Sequence, residues 1–251
     1  MQTKKRLRPW IIYLVMFLSI TGIIYYSYKI ITWKKHTNAN NKIQEVINKS
    51  ITIEENDEEE TTKYTIDFSS LKEINKDTIA YINVNNTNIN YIVVQGKDNS
   101  FYLNHNFEKK WNIAGWIFGD YRNKFDGFDK NLIIYGHNMK DGSMFDSLKN
   151  TLNKDWYENP NNYQITLTTE KETYNYQVFS TYSIIAEDYY INTSFNSDEE
   201  YLNFLNTLKS RSVYNYNVEL TTKDKILTLS SCLGDGKKRV VLHAKLLDNN
   251  T

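Results

Sequence analysis

From Trp10 to Tyr28 the chain runs through 19 residues without a charge. At about 1.5 Å per residue, a helix of that length reaches across the hydrocarbon of a bilayer. The run therefore predicts a single transmembrane anchor, taken as residues 10–33, after a cytoplasmic N-terminus at 1–9. Lys4, Lys5, Arg6 and Arg8 ahead of it favour that orientation, against a weaker opposing set in Lys29, Lys34 and Lys35. A cleaved signal peptide needs small residues at its processing site, yet the first alanine is Ala39, so the anchor is read as uncleaved. Next, Ile43, Val46, Ile47 and Ile51 recur at helical spacing and predict a short amphipathic helix over 38–51. Glu54 to Glu60 holds six acidic residues in seven and reads as a solvated linker, which makes 34–65 a juxtamembrane helix and acidic linker. Asp67, followed by Phe68, Leu71 and Ile74, predicts a second short helix with the Asp carboxylate as its cap.

After Thr78 the period changes to that of strands. Eight runs qualify: Ala80–Val84, Ile89–Gln95, Ala114–Phe118, Leu132–Tyr135, Tyr163–Thr168, Tyr174–Ile185, Lys225–Ser230 and Arg239–Leu247. Eight short strands separated by Asn, Asp and Gly predict a mostly β domain over 66–251, closed or nearly closed into a barrel. Two helical insertions interrupt it. Ser143-Met-Phe-Asp146 has the spacing of a capping box, and Ser197-Asp-Glu-Glu200 opens an amphipathic helix through Tyr201, Leu205 and Leu208, ahead of the last two strands.

Composition narrows the function by exclusion. Thirty basic and thirty acidic residues cancel, so no net field draws the chain to nucleic acid. One cysteine cannot form a disulfide within the chain, which leaves Cys232 as an unpaired thiol in a compartment that permits disulfides.

The thiol has chemically coherent company. Cys232 closes the run Ile226–Ser231, Arg239 begins the run Arg239–Lys245, and a glycine-containing loop joins them, so the two belong to one hairpin. Pairing sets a guanidinium beside a thiol, where it stabilises a thiolate and later an oxyanion. A proton-transfer partner is also needed, and histidine titrates in the useful range. Of four candidates, His36 adjoins the membrane run, His105 lies in a polar stretch, and His243 is inside the last strand. His137 follows the apolar run Leu132–Tyr135 and Gly136, at a strand end, and is the preferred base.

Thr228-Leu-Ser-Ser-Cys232 followed by Arg239 resembles the TLxTC…R signature of sortases, and Gly136-His137-Asn138 with Met144-Phe145 is similar to their catalytic-histidine segment. Ile89–Gly96, Tyr102–His105 and Ile117–Arg122 extend the likeness over most of 66–247, in the manner of class B sortases. Ser231 stands where the family usually has Thr and keeps the hydroxyl. The resemblance implies an eight-stranded sortase-type β-barrel with two N-terminal helices and a helix before the last two strands. It implies catalysis by His137, Cys232 and Arg239 with no cofactor or metal. The implied reaction cleaves a C-terminal sorting signal through a thioester on Cys232 and transfers the product to a cell-wall peptidoglycan amine or, alternatively, a pilin amine. The implied location is the outer face of a Gram-positive cell membrane, and the implied partners are surface proteins bearing the sorting motif. Asp235 is left outside the site, because an Asp in Gly-Asp-Gly is first a turn residue. Two rivals remain: a thiol hydrolase using the same residues, and a non-catalytic surface scaffold in which Cys232 is only packed.

Overall fold

The computed structural model describes residues 8–56, 61–127, 129–185, 187–233 and 238–247. Contacts divide the chain into two units, Met1–Lys42 and Ile43–Thr251. The first consists of most of α1 (Pro9–Asn48), a helix long and apolar enough to cross a membrane. The expected break between the apolar run and an amphipathic helix at 38–51 is absent, since neither Pro nor Gly interrupts residues 29–48 and the helix continues. Its last turns belong to the second unit, where Ile43 and Ile47 are buried.

The acidic stretch is not simply a linker. β1 (Ile51–Asn56) and β2 (Thr61–Ile66) pair antiparallel with Ile51 opposite Ile66, and residues 57–60 lie outside the described residues. β-branched residues, Ile51, Thr52 and Ile53 in one arm and Thr61, Thr62, Thr65 and Ile66 in the other, outweigh the charge in setting local structure. α2 (Phe68–Ile74) forms as the spacing predicted, with the Asp67 carboxylate accepting from the Ser70 amide at 3.1 Å.

The remaining strands are β3 (Thr78–Val84), β4 (Asn90–Val94), β5 (Phe118–Gly119), β6 (Asn131–Gly136), β7 (Gln164–Thr169), β8 (Thr173–Ile185), β9 (Ile226–Leu233) and β10 (Lys238–Leu246). They close into one barrel in the order β10-β8-β7-β3-β4-β5-β6-β9, with parallel pairing only at β4–β5 and β6–β9. β5 is two residues long where the sequence suggested five, because Gly115 lies against the Tyr102 and Leu103 carbonyls and the Trp116 amide donates to the Tyr102 carbonyl at 3.0 Å rather than to a strand. Between β6 and β7 lie a 3₁₀ stretch at Asp146–Leu152 and the one-turn helix α3 (Lys154–Tyr157). The expected cap at Ser143 does not form. Asn138 and Met144 are bridged antiparallel and Met144 has φ 57°, so the backbone there is extended or left-handed rather than helical, and the Ser143 hydroxyl donates to Asp141 instead. α4 (Asp198–Ser210) does carry its predicted cap, with Ser197 Oγ accepting from the Glu200 amide at 3.1 Å.

Candidate active site

Three neighbouring strands carry the three residues singled out in the sequence. β9 lies between β6 and β10. Its backbone register sets Cys232 opposite Arg239 of β10 and Ser231 beside Gly136, the last residue of β6 before His137. Strands in a sheet lie about 4.8 Å apart, so all three positions meet at one rim of the barrel. The parallel β6–β9 pair decides this, because only parallel strands bring two C-terminal ends, one with His137 and one with Cys232, to the same edge.

His137 is held by its surroundings. A Cβ on Gly136 would come within 2.5 Å of Ile117 and 2.7 Å of Phe145, so only glycine lets β6 end this close to the core. The Phe145 amide donates to the His137 carbonyl at 2.8 Å and closes the following turn. The imidazole Nε2 lies 2.7 Å from the carbonyl oxygen of Leu103. A carbonyl only accepts, so this contact puts the ring proton on Nε2 and leaves Nδ1 as the basic nitrogen of the neutral ring. Leu103 was not found in the sequence as a site residue, since a backbone carbonyl leaves no side-chain signature. Its turn rests on Gly115, whose φ of +56° and 2.7 Å approach of a notional Cβ to the Leu103 oxygen exclude other residues.

His137 and half-buried Arg239 line a cleft of about 690 Å³, together with Leu103, Tyr135, Tyr189 and Tyr190. Ser230 and Asn99 also reach it. Beneath it Asp120, whose side chain has no exposed surface, collects five hydrogen bonds. Burial pushes this carboxyl up, but the Arg122 side chain and amide, the Tyr135 hydroxyl and Asn99 outweigh it and hold it below the usual carboxylate range. Asp120 thereby fixes Tyr135 and Asn99, two residues that line the cleft.

Two of the other histidines have structural surroundings. His105 stacks on Phe101 with ring centroids 4.0 Å apart and its Nδ1 is 2.8 Å from the Phe101 carbonyl. His243 is fully buried between Tyr182 and Thr228, and burial lowers its pKa to about 3. Such a group stays neutral at working pH and takes no part in proton transfer at the rim. In the unfolded chain it titrates near its ordinary 6.5, so the unfolded state binds the extra proton between pH 6.5 and about 3. His243 therefore stabilises the fold fully above pH 6.5, and that stability should drain away as pH falls toward 3. We expect His243→Gln to flatten the slope of Tm against pH between 6 and 4; an unchanged slope would assign it to other groups. Asp235 lies outside the described residues.

The sortase domain profile matches residues 82–247, about two thirds of the chain. The chain belongs to the sortase family. It is 40% identical to sortase B of Staphylococcus aureus over 183 residues, covering 72% of this chain and 74% of that protein. Identity to sortase B of Listeria monocytogenes is 41% over 182 residues, 70% of this chain and 72% of that one. Among solved structures, a Staphylococcus aureus sortase B–substrate complex superposes with a TM-score of 0.68 at 40% identity, covering 73% of this chain and 85% of the other. A Bacillus anthracis sortase B bound to AAEK2 gives 0.72 at 36% identity, covering 87% and 98%. This sortase is thus a transpeptidase with the eight-stranded barrel that its sequence predicts, and the relatives named here are sortases of class B.

Proposed function

We propose that this sortase cleaves a C-terminal sorting signal on surface proteins and transfers the new carboxyl end to a peptidoglycan amine, with Cys232 as nucleophile, His137 as acid and base, and Arg239 as oxyanion clamp. The observation that carries the reading is the backbone register: position 232 lies between position 239 on one neighbouring strand and the end of β6 on the other, beside a cleft of peptide-binding size.

The chemistry follows from these roles. The Cys232 thiolate attacks the scissile carbonyl carbon, forming a C–S bond, and the carbonyl electrons move onto oxygen. The Arg239 guanidinium stabilises that oxyanion with directed donors. As the oxyanion collapses, the C–N bond breaks and the leaving amine takes its proton from His137, through the nitrogen not bonded to Leu103. An acceptor amine then attacks the thioester, gives its proton to the neutral imidazole, and expels the thiolate. Cys232 is regenerated and no metal or cofactor enters. The formal classification that fits is a thiol peptidase acting by acyl transfer.

The test is product analysis. Full-length protein in detergent is incubated with a library of sorting-signal peptides, with and without an oligoglycine or diaminopimelyl amine. Amide-linked product at the expense of free acid supports transfer. Free acid alone, insensitive to added amine, makes the enzyme a hydrolase, and cleavage of no peptide removes the reading. Preference for a lysine side chain within a folded protein would point to pilin polymerisation.

For location, we propose residues 10–33 as an uncleaved anchor, 1–9 as cytoplasmic, 34–65 as the juxtamembrane segment and 66–251 as the extracellular catalytic domain. The protein should remain in the membrane fraction, with its C-terminal domain degraded by protease added to protoplasts. A shortened, soluble form as the main product would overturn this. Deleting 1–33 should give a soluble, active enzyme, because Ile43 and Ile47, the part of α1 buried in the second unit, are retained.

A further inference from the structure

Thr228 belongs to the signature run, yet it lies four positions before the nucleophile and the chemistry above gives it no task. Its surroundings supply one. Thr228 Oγ1 is 2.7 Å from Asn131 Oδ1 and 2.8 Å from His243 Nδ1. His243 Nε2 is 2.9 Å from the Tyr182 hydroxyl, which accepts from the Tyr189 hydroxyl at 2.9 Å. At the other end, Asn131 Nδ2 donates to the backbone carbonyls of Tyr190 at 3.1 Å and Asn192 at 2.9 Å. The series therefore leaves the segment 189–192 at Tyr189, crosses β8, β10, β9 and β6, which are consecutive in the barrel, and returns to the same segment.

Its direction is determined. Carbonyl oxygens only accept, so the Asn131 amide must present NH₂ to Tyr190 and Asn192 and oxygen to Thr228. Thr228 spends its one proton on Asn131 and so accepts from His243 Nδ1–H. His243 Nε2 then accepts from Tyr182. Asn131, Thr228 and His243 have no exposed surface and Tyr182 retains 3%, so a broken link strands its partners without water.

The segment so held contains a single 3₁₀ turn, Tyr189–Ile191. It is not in a strand, and the three successive carbonyls of Tyr190, Ile191 and Asn192 are taken by the side chains of Asn131 and Arg122. Tyr190 Oη is also 2.9 Å from Ser230 Oγ. Glu187 to Ile191 form one wall of the cleft. Positions 228, 230 and 232 alternate on β9, so the strand that carries the nucleophile carries, two and four residues earlier, the hydroxyls that tie down this wall.

We infer that Thr228, His243 and Tyr182 are positioning residues, which set the substrate-facing wall at 187–192 and through it the fit of the peptide. The substrate part of this inference rests on the function proposed above; the wall-holding part does not. Thr228→Val and Tyr182→Phe each cut the ring with little change of volume. In full-length protein in detergent, amide hydrogen exchange across 187–192 should quicken by roughly tenfold in either variant, the size expected from one lost buried hydrogen bond, while β3 and β4 exchange as in the wild type. With a peptide that the wild type cleaves, KM should rise by roughly tenfold and kcat should change less. His243→Gln, which can donate to Thr228 and accept from Tyr182, keeps the ring closed and should stay near the wild type in both measurements. Wild-type exchange at 187–192 in both cutting variants overturns the inference, and so does a uniform rise over all strands, which would mean general core stabilisation. Unaltered KM values alongside faster local exchange would reject the role in substrate fit. If the wild type cleaves no peptide, the catalytic reading fails and the exchange comparison still decides whether the ring holds the wall.

Discussion

Replacing Cys232 by alanine should abolish cleavage of a sorting peptide, lowering turnover by roughly 10⁵–10⁶-fold, as when the nucleophile of an acyl-transfer unit is removed. No thioester can then form, and direct attack by an amine on an unactivated amide lacks any compensating route. His137→Ala should be nearly as damaging. Without it the leaving amine departs unprotonated, and the acceptor amine attacks without a base. The two residues act on one reaction coordinate, so Cys232→Ala/His137→Ala should be scarcely worse than either single change. Mass spectrometry of quenched reactions reads this directly: an acyl adduct should accumulate in neither variant. Appreciable cleavage by Cys232→Ala would make the proposed mechanism wrong. Strong retention by His137→Ala would return the search for a base to the start, since buried His243 is held neutral and away from the rim.

The second large effect is expected at Arg239. Its planar guanidinium presents directed donors that the compact ammonium of lysine cannot reproduce. Losing one donor to a developing oxyanion typically costs on the order of 10²–10³ in turnover, so Arg239→Lys should fall by about that factor although the charge is kept. Two measurements on the one variant separate the roles. Alkylation needs only an accessible thiolate and should continue, whereas peptide cleavage also needs the clamp and should fail. Near-normal cleavage would reduce Arg239 to a source of positive charge. Loss of alkylation as well would mean that Arg239 mainly lowers the thiol pKa.

Much of this protein is legible along the chain. Eight strand-period runs correspond to the eight barrel strands, the Asp67 and Ser197 caps form where side chain and spacing predict, and the apolar run becomes part of one long helix. These features depend on residues within a turn or two of one another. The errors share a cause. Ser143 has a capping pattern, but the bridge between Asn138 and Met144 overrides it, and the first residues of the acidic stretch, Glu54 to Asn56, are drawn into β1 by the β-branched residues beside them.

Candidate chemistry divides the same way. The thiol, the guanidinium and the strand-end imidazole are conspicuous in one dimension because their types are chemically restrictive and each sits at the edge of an apolar run. Sequence by itself thus determined the barrel's strand count, the membrane-length helix and the three residues proposed for the chemistry. Tertiary structure alone decided that β6 runs parallel to β9, so that residues 95 positions apart end at one rim, that Leu103 offers a carbonyl to His137, and that His243 is sealed in a core network. Backbone acceptors carry no residue code, and desolvation depends on neighbours brought from four strands. Both are properties of the closed barrel and have no local counterpart in the chain.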